Sequence, residues 1–340
     1  MTDPASTRPT PELISGGLVL GIDAGNTKTI ALIADTSGRV LGSGRAGPSN
    51  IYVEPERALS ALENAVGAAR ASAGLNDTPL SAVTLSAAGA DWPEDFQVLE
   101  AALGRWQWAA RTQVVNDAVG ALRAGSLGGL GVAVVCGTSA GTAARSPAGR
   151  LWHSSYWQEP EGAEDLARQA LRAVYRTELG ITPPTSLTAR LLAHFGCASV
   201  EALLHAFTAR DRPAPAHLGR LARLLLDEAG AGDPVSIQLV QRHGEALGDY
   251  ALAAARQVGL DDGYLLVTSG GVMRHPSPLL RQSLLARVHL VHPRVTWQAS
   301  RHEPVFGALL LALELAGQII GPQQFQRLEE TCPDEALFLT

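Results

Sequence analysis

Acidic and amide side chains beside glycines recur at four points of this chain, and each cluster closes an apolar run. Asp23 ends the run Leu18 to Ile22 and is followed by Gly25, Asn26, Thr27, Lys28 and Thr29. Asn116 and Asp117 close Val114-Val115, Gly137, Thr138 and Ser139 follow Cys136, and Gly270 and Gly271 follow the run Leu265 to Thr268. Small residues between strands let backbone N–H groups approach a polyanion without Cβ clashes. A carboxylate at a strand end can hold Mg²⁺, directly or through water. A carboxylate such as Asp117 can take the proton of a sugar hydroxyl as that oxygen attacks a γ-phosphoryl group. Each cluster also has a plainer reading: a Gly/Asn turn closes a hairpin, and Asn116 and Asp117 are good helix caps. Four such turns, two in each half of the chain, argue together for a phosphate cleft, because ligands of open α/β sheets bind where strand ends converge.

The elements that must position these residues follow from hydrophobic periodicity. Leu18–Ile22, Thr29–Ala34 and Arg39–Arg45 read as consecutive strands, and Pro55 to Ala73 as an Ala-rich helix. Then come a strand at Ala82–Ser86, a short helix at Asp95 to Leu103, a strand at Thr112–Val115 and a helix from Ala118. The loop at 23–29 therefore lies between two strands, unlike a P-loop or Rossmann fingerprint, where a helix follows the glycines. From Gly131 the same logic repeats, with strands Val132–Val135 and Thr142–Ser146. A helical region from Ala163 to about Gly259 follows, broken at Pro183-Pro184, Gly196, Pro213 to Pro215 and Gly232 to Pro234. Leu265–Thr268 and Val295–Gln298 are strands, and Leu279–Ala286 and Val305–Ala316 are helices. Two copies of hairpin-then-βα predict duplicated α/β domains facing each other across a cleft.

Composition narrows the function classes. The 340 residues suffice for two domains, with 46% apolar residues, 18% charged residues and a net charge of -6. The 27 Lys and Arg are scattered, which gives no footprint for nucleic acid or an anionic membrane. Cys136, Cys197 and Cys332 have no metal-ligand spacing, so a zinc or iron–sulfur site is not expected. Residues 1–16 lack a hydrophobic core region, and Val305 to Ala316 is too short to span a bilayer, so a cytoplasmic protein is expected.

Seven motifs in order resemble the N-acetylglucosamine kinase group of the BadF/BadG/BcrA/BcrD-type ATPases, in the actin/hexokinase/Hsp70 superfamily. They are Asp23 to Thr29, Asn50 in Gly47-Pro-Ser-Asn, Asn116-Asp117-Ala118, Gly137-Thr138-Ser139, Gly232-Asp233-Pro234, Gly270-Gly271-Val272 and Pro304 to Ala308. The resemblance implies an α/β fold of two RNase H-like (actin-like ATPase) domains flanking an ATP/sugar cleft. The expected limits are a start at 1–16, an N-terminal domain of 17–122 plus 305–318, a C-terminal domain of 123–304 with a helical insertion, and a tail at 319–340. It implies that Asp23 positions Mg²⁺, that Gly25, Asn26, Thr27 and Lys28 line the β- and γ-phosphates, and that Gly137, Thr138 and Ser139 oppose them. It implies that Gly270, Gly271, Arg274 and Ala229 lie about the adenosine. Asn50, Asp117 and Glu161 would contact the sugar, with Asp117 the base for the 6-hydroxyl. The implied partners are ATP, Mg²⁺ and a small amino sugar, with a homodimer as the assembly.

One departure bears on the sugar. Relatives carry a Gly-Asp-Glu-Gly-Ser segment whose Asp and Glu help hold it, whereas this chain reads Glu159-Pro160-Glu161-Gly162-Ala163. Pro160 cannot hydrogen-bond through its side chain, so a change in which sugar fits is expected. Trp152, Tyr156 and Trp157 crowd the region and are read either as a stacking surface for a sugar or as core or interface aromatics. Cys136 is read as a small buried residue. The alternatives are a kinase for a different hexose derivative, or an ATPase of this type with a non-sugar or regulatory role. An iron–sulfur dehydratase activator lacks its cysteines here, and a sugar-sensing repressor lacks a DNA-binding module.

Overall fold

A computed structural model describes residues 17–338 apart from 77, 160–161, 212–214 and 216–217. Its first half begins with β1 (Leu18–Ala24), β2 (Thr29–Asp35) and β3 (Val40–Ala46), a meander in which Leu18 pairs Asp35 and Ala24 pairs Thr29. The helix α1 (Pro55–Ala73) carries the chain to β4 (Leu80–Ala87), and α2 (Pro93–Trp106) carries it to β5 (Ala109–Asn116). β4 pairs parallel to β1 and β5 parallel to β4, giving the order β3-β2-β1-β4-β5. β1 and β4 are buried along almost their whole length because the sheet is covered on both faces.

The helix α3 (Asp117–Gly125) leads into a second meander of β6 (Gly131–Cys136), β7 (Ala140–Arg145) and β8 (Leu151–His153). Then follow α4 (Ala163–Glu178), α5 (Leu187–Phe195), α6 (Val200–Thr208), α7 (Arg220–Gly230) and α8 (Pro234–Val258). The chain continues through β9 (Leu265–Ser269), α9 (Leu279–His289) and β10 (Thr296–Ala299), and ends in α10 (Pro304–Leu315) and α11 (Pro322–Thr331). The second sheet reads β8-β7-β6-β9-β10, with β9 parallel to β6, so it repeats the strand order of the first.

Local chemistry explains the boundaries. Pro55 opens α1 and Gly74, at φ 69, closes it in the left-handed region. Asp233 caps α8 by accepting from the Ser236 N–H at 2.8 Å, with Pro234 in the first turn. Those breaks were legible, and the helical region divides close to the expected proline and glycine positions.

Helix α10 returns to the first half. It lays Val305, Phe306, Leu309 and Leu313 on Val19, Ile30 and Leu32 in one core cluster. The approach is close: a Cβ on Gly21 would meet the Leu309 backbone N at 2.3 Å, and one on Gly307 would meet the Gly120 carbonyl at 1.9 Å. Its far end holds Glu314 against the buried Arg123 of α3 at 2.8 Å. The face of the first sheet opposite α10 packs on α1 and α2, and the second half has its own large core around α4, α7 and α8. Two elements escaped the sequence reading. β8 is three residues long, and α11, with Leu328 its one buried residue, carries too thin an apolar stripe to signal a helix.

Candidate functional site

The clusters meet where the C-terminal ends of β1, β4 and β5 approach those of β6 and β9. Asp23 lies near the end of β1, followed by a turn closed by a Gly25 N–H bond to the Lys28 carbonyl at 2.9 Å. Burial pushes the Asp23 carboxyl up to about 7, reinforced by the carboxylates of Asp117 and Glu303 and opposed by Lys28. Asn26 and Asn50 connect this turn to the other half. The Asn50 amide donates to Asn26 Oδ1 at 2.7 Å, and the Asn26 amide donates to Ser139 Oγ at 2.9 Å. Three of the expected site residues therefore form one relay across the cleft.

Asp117 is the first residue of α3, directly after the cap Asn116, whose Oδ1 accepts from the Ala118 N–H at 3.1 Å. The capping reading thus holds for Asn116 and leaves the Asp117 carboxyl free of that task. Burial raises Asp117 to about 6, Asp91 adds to the rise, and the backbone N–H groups of Ala118 and Asp117 oppose it. A carboxyl so placed can exchange a proton near neutral pH.

The opposing wall is built by close packing. Gly137 lies under the start of α4, where the Ala163 N–H donates to its carbonyl at 2.8 Å. A Cβ on Gly162 would meet that same carbonyl at 2.4 Å. Gly270 has φ 101, and a Cβ there would strike the Cys136 carbonyl at 2.3 Å, so only glycine fits. Gly271 has nothing within 4 Å of its Cβ position, and Gly137 meets only the Ser139 carbonyl at 3.9 Å. That open backbone is the cradle a nucleotide phosphate or sugar moiety requires, so the residues fit ATP.

The other expected residues are placed as follows. Thr138 and Ser139 are exposed at the tip of the β6–β7 turn, and Thr27 is exposed in the β1–β2 turn. Arg274 is exposed and donates to Glu303 at 2.9 Å, tying the loop after β9 to the start of α10. Ala229 is 5% exposed within the core of the second half, so its side chain offers almost no surface to adenosine. Lys28 donates to the Phe338 carbonyl, and Arg45 donates to the Leu337 carbonyl at 3.0 Å, so residues 337–338 lie beside the β1–β2 turn. Glu161 and Pro160 lie outside the described residues. Cys136 is buried, with its thiol pushed up to about 12 by burial. Tyr156 is exposed and packs against Tyr52 and Trp92 of the first half, Trp157 is exposed, and Trp152 packs on the core.

Among the described residues no group of three or more His, Cys, Asp or Glu side chains is arranged to hold a metal ion. Mg²⁺ keeps several waters and takes one or two carboxylates plus substrate phosphates. Asp23, an oxygen donor crowded by other carboxylates, fits it. Sequence reading missed Asp91, which follows the turn after β4, Glu303 at the start of α10, and Ser155 just after β8. Asp91 stands at a strand end like the other clusters and could have been found by that position. Glu303 could not, because only the return of α10 brings it to Asp23.

Residues 20–312 match the model of the BadF/BadG/BcrA/BcrD ATPase family. The chain is 25% identical over 299 residues to an N-acetylmuramic acid/N-acetylglucosamine kinase of Clostridium acetobutylicum, covering 86% of this chain and 97% of the relative. It is 25% identical over 319 residues to an N-acetyl-D-glucosamine kinase of Dictyostelium discoideum, covering 88% and 99%. In structure it is similar to a candidate N-acetylglucosamine kinase of Chromobacterium violaceum, with a TM-score of 0.67 at 24% identity over 88% of this chain and 99% of the other. That likeness establishes the fold, two α/β units of the kind expected.

Proposed function

We infer the function from one premise: the chain belongs to the BadF/BadG/BcrA/BcrD ATPase family. On this reading it is an ATP-dependent kinase for an amino sugar of the N-acetylglucosamine or glucosamine type, transferring the γ-phosphoryl group to the 6-hydroxyl. The kinase names of the two relatives support the reaction class. The observation that carries the reading to this chain is the convergence of Asp117 with two glycine turns joined by the relay Asn50–Asn26–Ser139.

Each residue has a task that follows from its place. Asp117, ionised at neutral pH, accepts the proton of the sugar hydroxyl as its oxygen becomes a nucleophile, a role that contributes on the order of 10²–10⁴-fold. The turn around Gly25 and Asn26 and the turn around Gly137 and Ser139 hold the phosphates from opposite sides. Gly271 leaves room for the adenosine moiety. Asn50 orients the sugar through the side-chain relay. Asp23 would hold Mg²⁺, which when bound neutralises phosphate charge. Phosphoryl transfer needs mainly this positioning and charge stabilisation.

The test is ADP release with MgATP against N-acetylglucosamine, glucosamine, N-acetylmuramic acid, N-acetylmannosamine and glucose. Release stimulated by an amino sugar supports the reading, and release with glucose alone moves it to another hexose derivative. Silence with every sugar, with ATP still bound, turns it into a regulatory ATPase.

A further inference from the structure

We propose that Asp91 is a positioning residue for the base Asp117, acting through the side-chain amide of Asn116. The inference rests on the kinase reading above. Asn116 Nδ2 donates to Asp91 Oδ1 at 3.0 Å and to the Ala90 carbonyl at 3.2 Å, while Asn116 Oδ1 caps the Ala118 N–H at 3.1 Å. Both ends of the Asn116 amide are thus engaged, and the peptide leading into Asp117 is held from two sides. Asp91 is in turn held by its own backbone: Asp95 Oδ2 accepts from the N–H of Trp92 at 2.7 Å and of Asp91 at 3.3 Å, and from the Tyr52 hydroxyl at 2.5 Å.

The facing half comes close to Asp91 here: its carboxylate acts on His153, whose Nδ1 lies 2.5 Å from Ser155 Oγ. Ser155 sits at φ 44, a left-handed conformation that a non-glycine residue keeps only when its surroundings over-determine it. The surroundings do so here. Tyr156 packs edge-on to Tyr52 at 5.6 Å and stacks on Trp92 at 6.0 Å, and His153 packs on Phe96 at 6.1 Å. First-half aromatics therefore pack against the strained turn that carries Ser155.

The charged groups about Asp117 are Asp91 from the connection after β4, Asp95 from the first turn of α2, Asp23 from β1, Glu303 and Lys28 about Asp23, and His153 from β8. Of these Asp91 acts on Asp117 directly, in the same sense as burial.

The experiment is a double-mutant cycle on sugar-dependent ADP release, with thermal melting confirming that every variant is folded. Asp91→Ala should lower kcat by roughly tenfold to a hundredfold with KM for ATP within about twofold, as expected for a displaced base. Asp91→Asn keeps an acceptor and should restore most of kcat, while moving the acid limb of the pH profile to lower pH. Asp91→Ala combined with Asn116→Ala should fall no further than about threefold below the worse single variant, since both act on one corner. A kcat for Asp91→Ala within threefold of the unaltered protein, or strictly multiplied losses in the double variant, would overturn the assignment. An unaltered protein without any sugar-stimulated release would instead overturn the kinase reading and this inference with it.

Discussion

The β1–β2 and β6–β7 turns occupy equivalent places in two sheets of one strand order, yet they carry opposite chemistry. Two residues before Gly25 stands Asp23, and two residues before Gly137 stands Val135. Val135 packs with Val115, Ala118, Val119 and Ala143, whereas Asp23 is a carboxyl pushed up to about 7 by its surroundings. The first turn carries a concentrated charge and the second carries open backbone at Gly137. The shared strand order supplies the frame, and under the proposed function the acid of one turn would suit a cation while the open backbone of the other would suit phosphate oxygens. The halves also differ in their later connections. A single helix, α1, links the meander to β4 in the first half, while α4 to α8 fill that step in the second.

Substitutions can break that division of labour, and the largest effect belongs to the residue that neither turn contributes. Asp117→Asn should lower kcat by about 10²–10⁴-fold with ATP affinity nearly unchanged, read by steady-state kinetics and calorimetry. A loss under threefold removes Asp117 from the base role. In the unaltered protein, activity should fall as pH drops through about 6, where Asp117 gains its proton.

Next comes a contrast between neighbouring glycines. Gly270→Ala should cost at least about 1–3 kcal/mol in thermal or denaturant unfolding, because φ 101 and the Cys136 carbonyl both oppose a Cβ. Gly271→Ala should leave stability within about 0.5 kcal/mol and weaken nucleotide binding instead, since its Cβ enters open space. Equal melting temperatures for the two variants would show that the second wall is not packed as described.

Asp23→Asn sharpens the charge contrast. The folded-state pKa of about 7 lies above the usual value near 3.9, so ionising Asp23 opposes folding, and its stability contribution declines as pH rises through 7. The variant should therefore melt higher than the unaltered protein at pH 8, with the gain vanishing toward pH 4, while Mg²⁺-dependent turnover is lost. A variant less stable at pH 8, or with normal Mg²⁺ dependence, would contradict the reading of that turn. The smallest effect is expected for Ser139→Ala, which removes the acceptor of the Asn26 amide at an exposed position. About 0.5–1.5 kcal/mol, seen as a few-fold rise in KM, is its full scale.

Strand runs such as Leu18–Ile22 and Leu265–Thr268, the helix breaks at Gly196 and Gly232 to Pro234, and the duplicated hairpin order were all legible in the sequence. Periodicity and turn chemistry act over neighbours, and neighbours are what a sequence displays. The glycine turns and Asn116-Asp117 were legible for the same reason, each being a local pattern at a strand end. Only the tertiary structure decided which of these patterns touch. Asn26 joins Asn50 to Ser139 because the fold brings distant turns together, and Glu303 acts on Asp23 because α10 folds back over β1. Ala229 shows the converse, since a position expected at the nucleotide is almost fully enclosed in a helical core. Asp91 meets Asn116 because β4 and β5 lie side by side and parallel. Such contacts depend on burial and on long-range packing, which no spacing along the chain encodes.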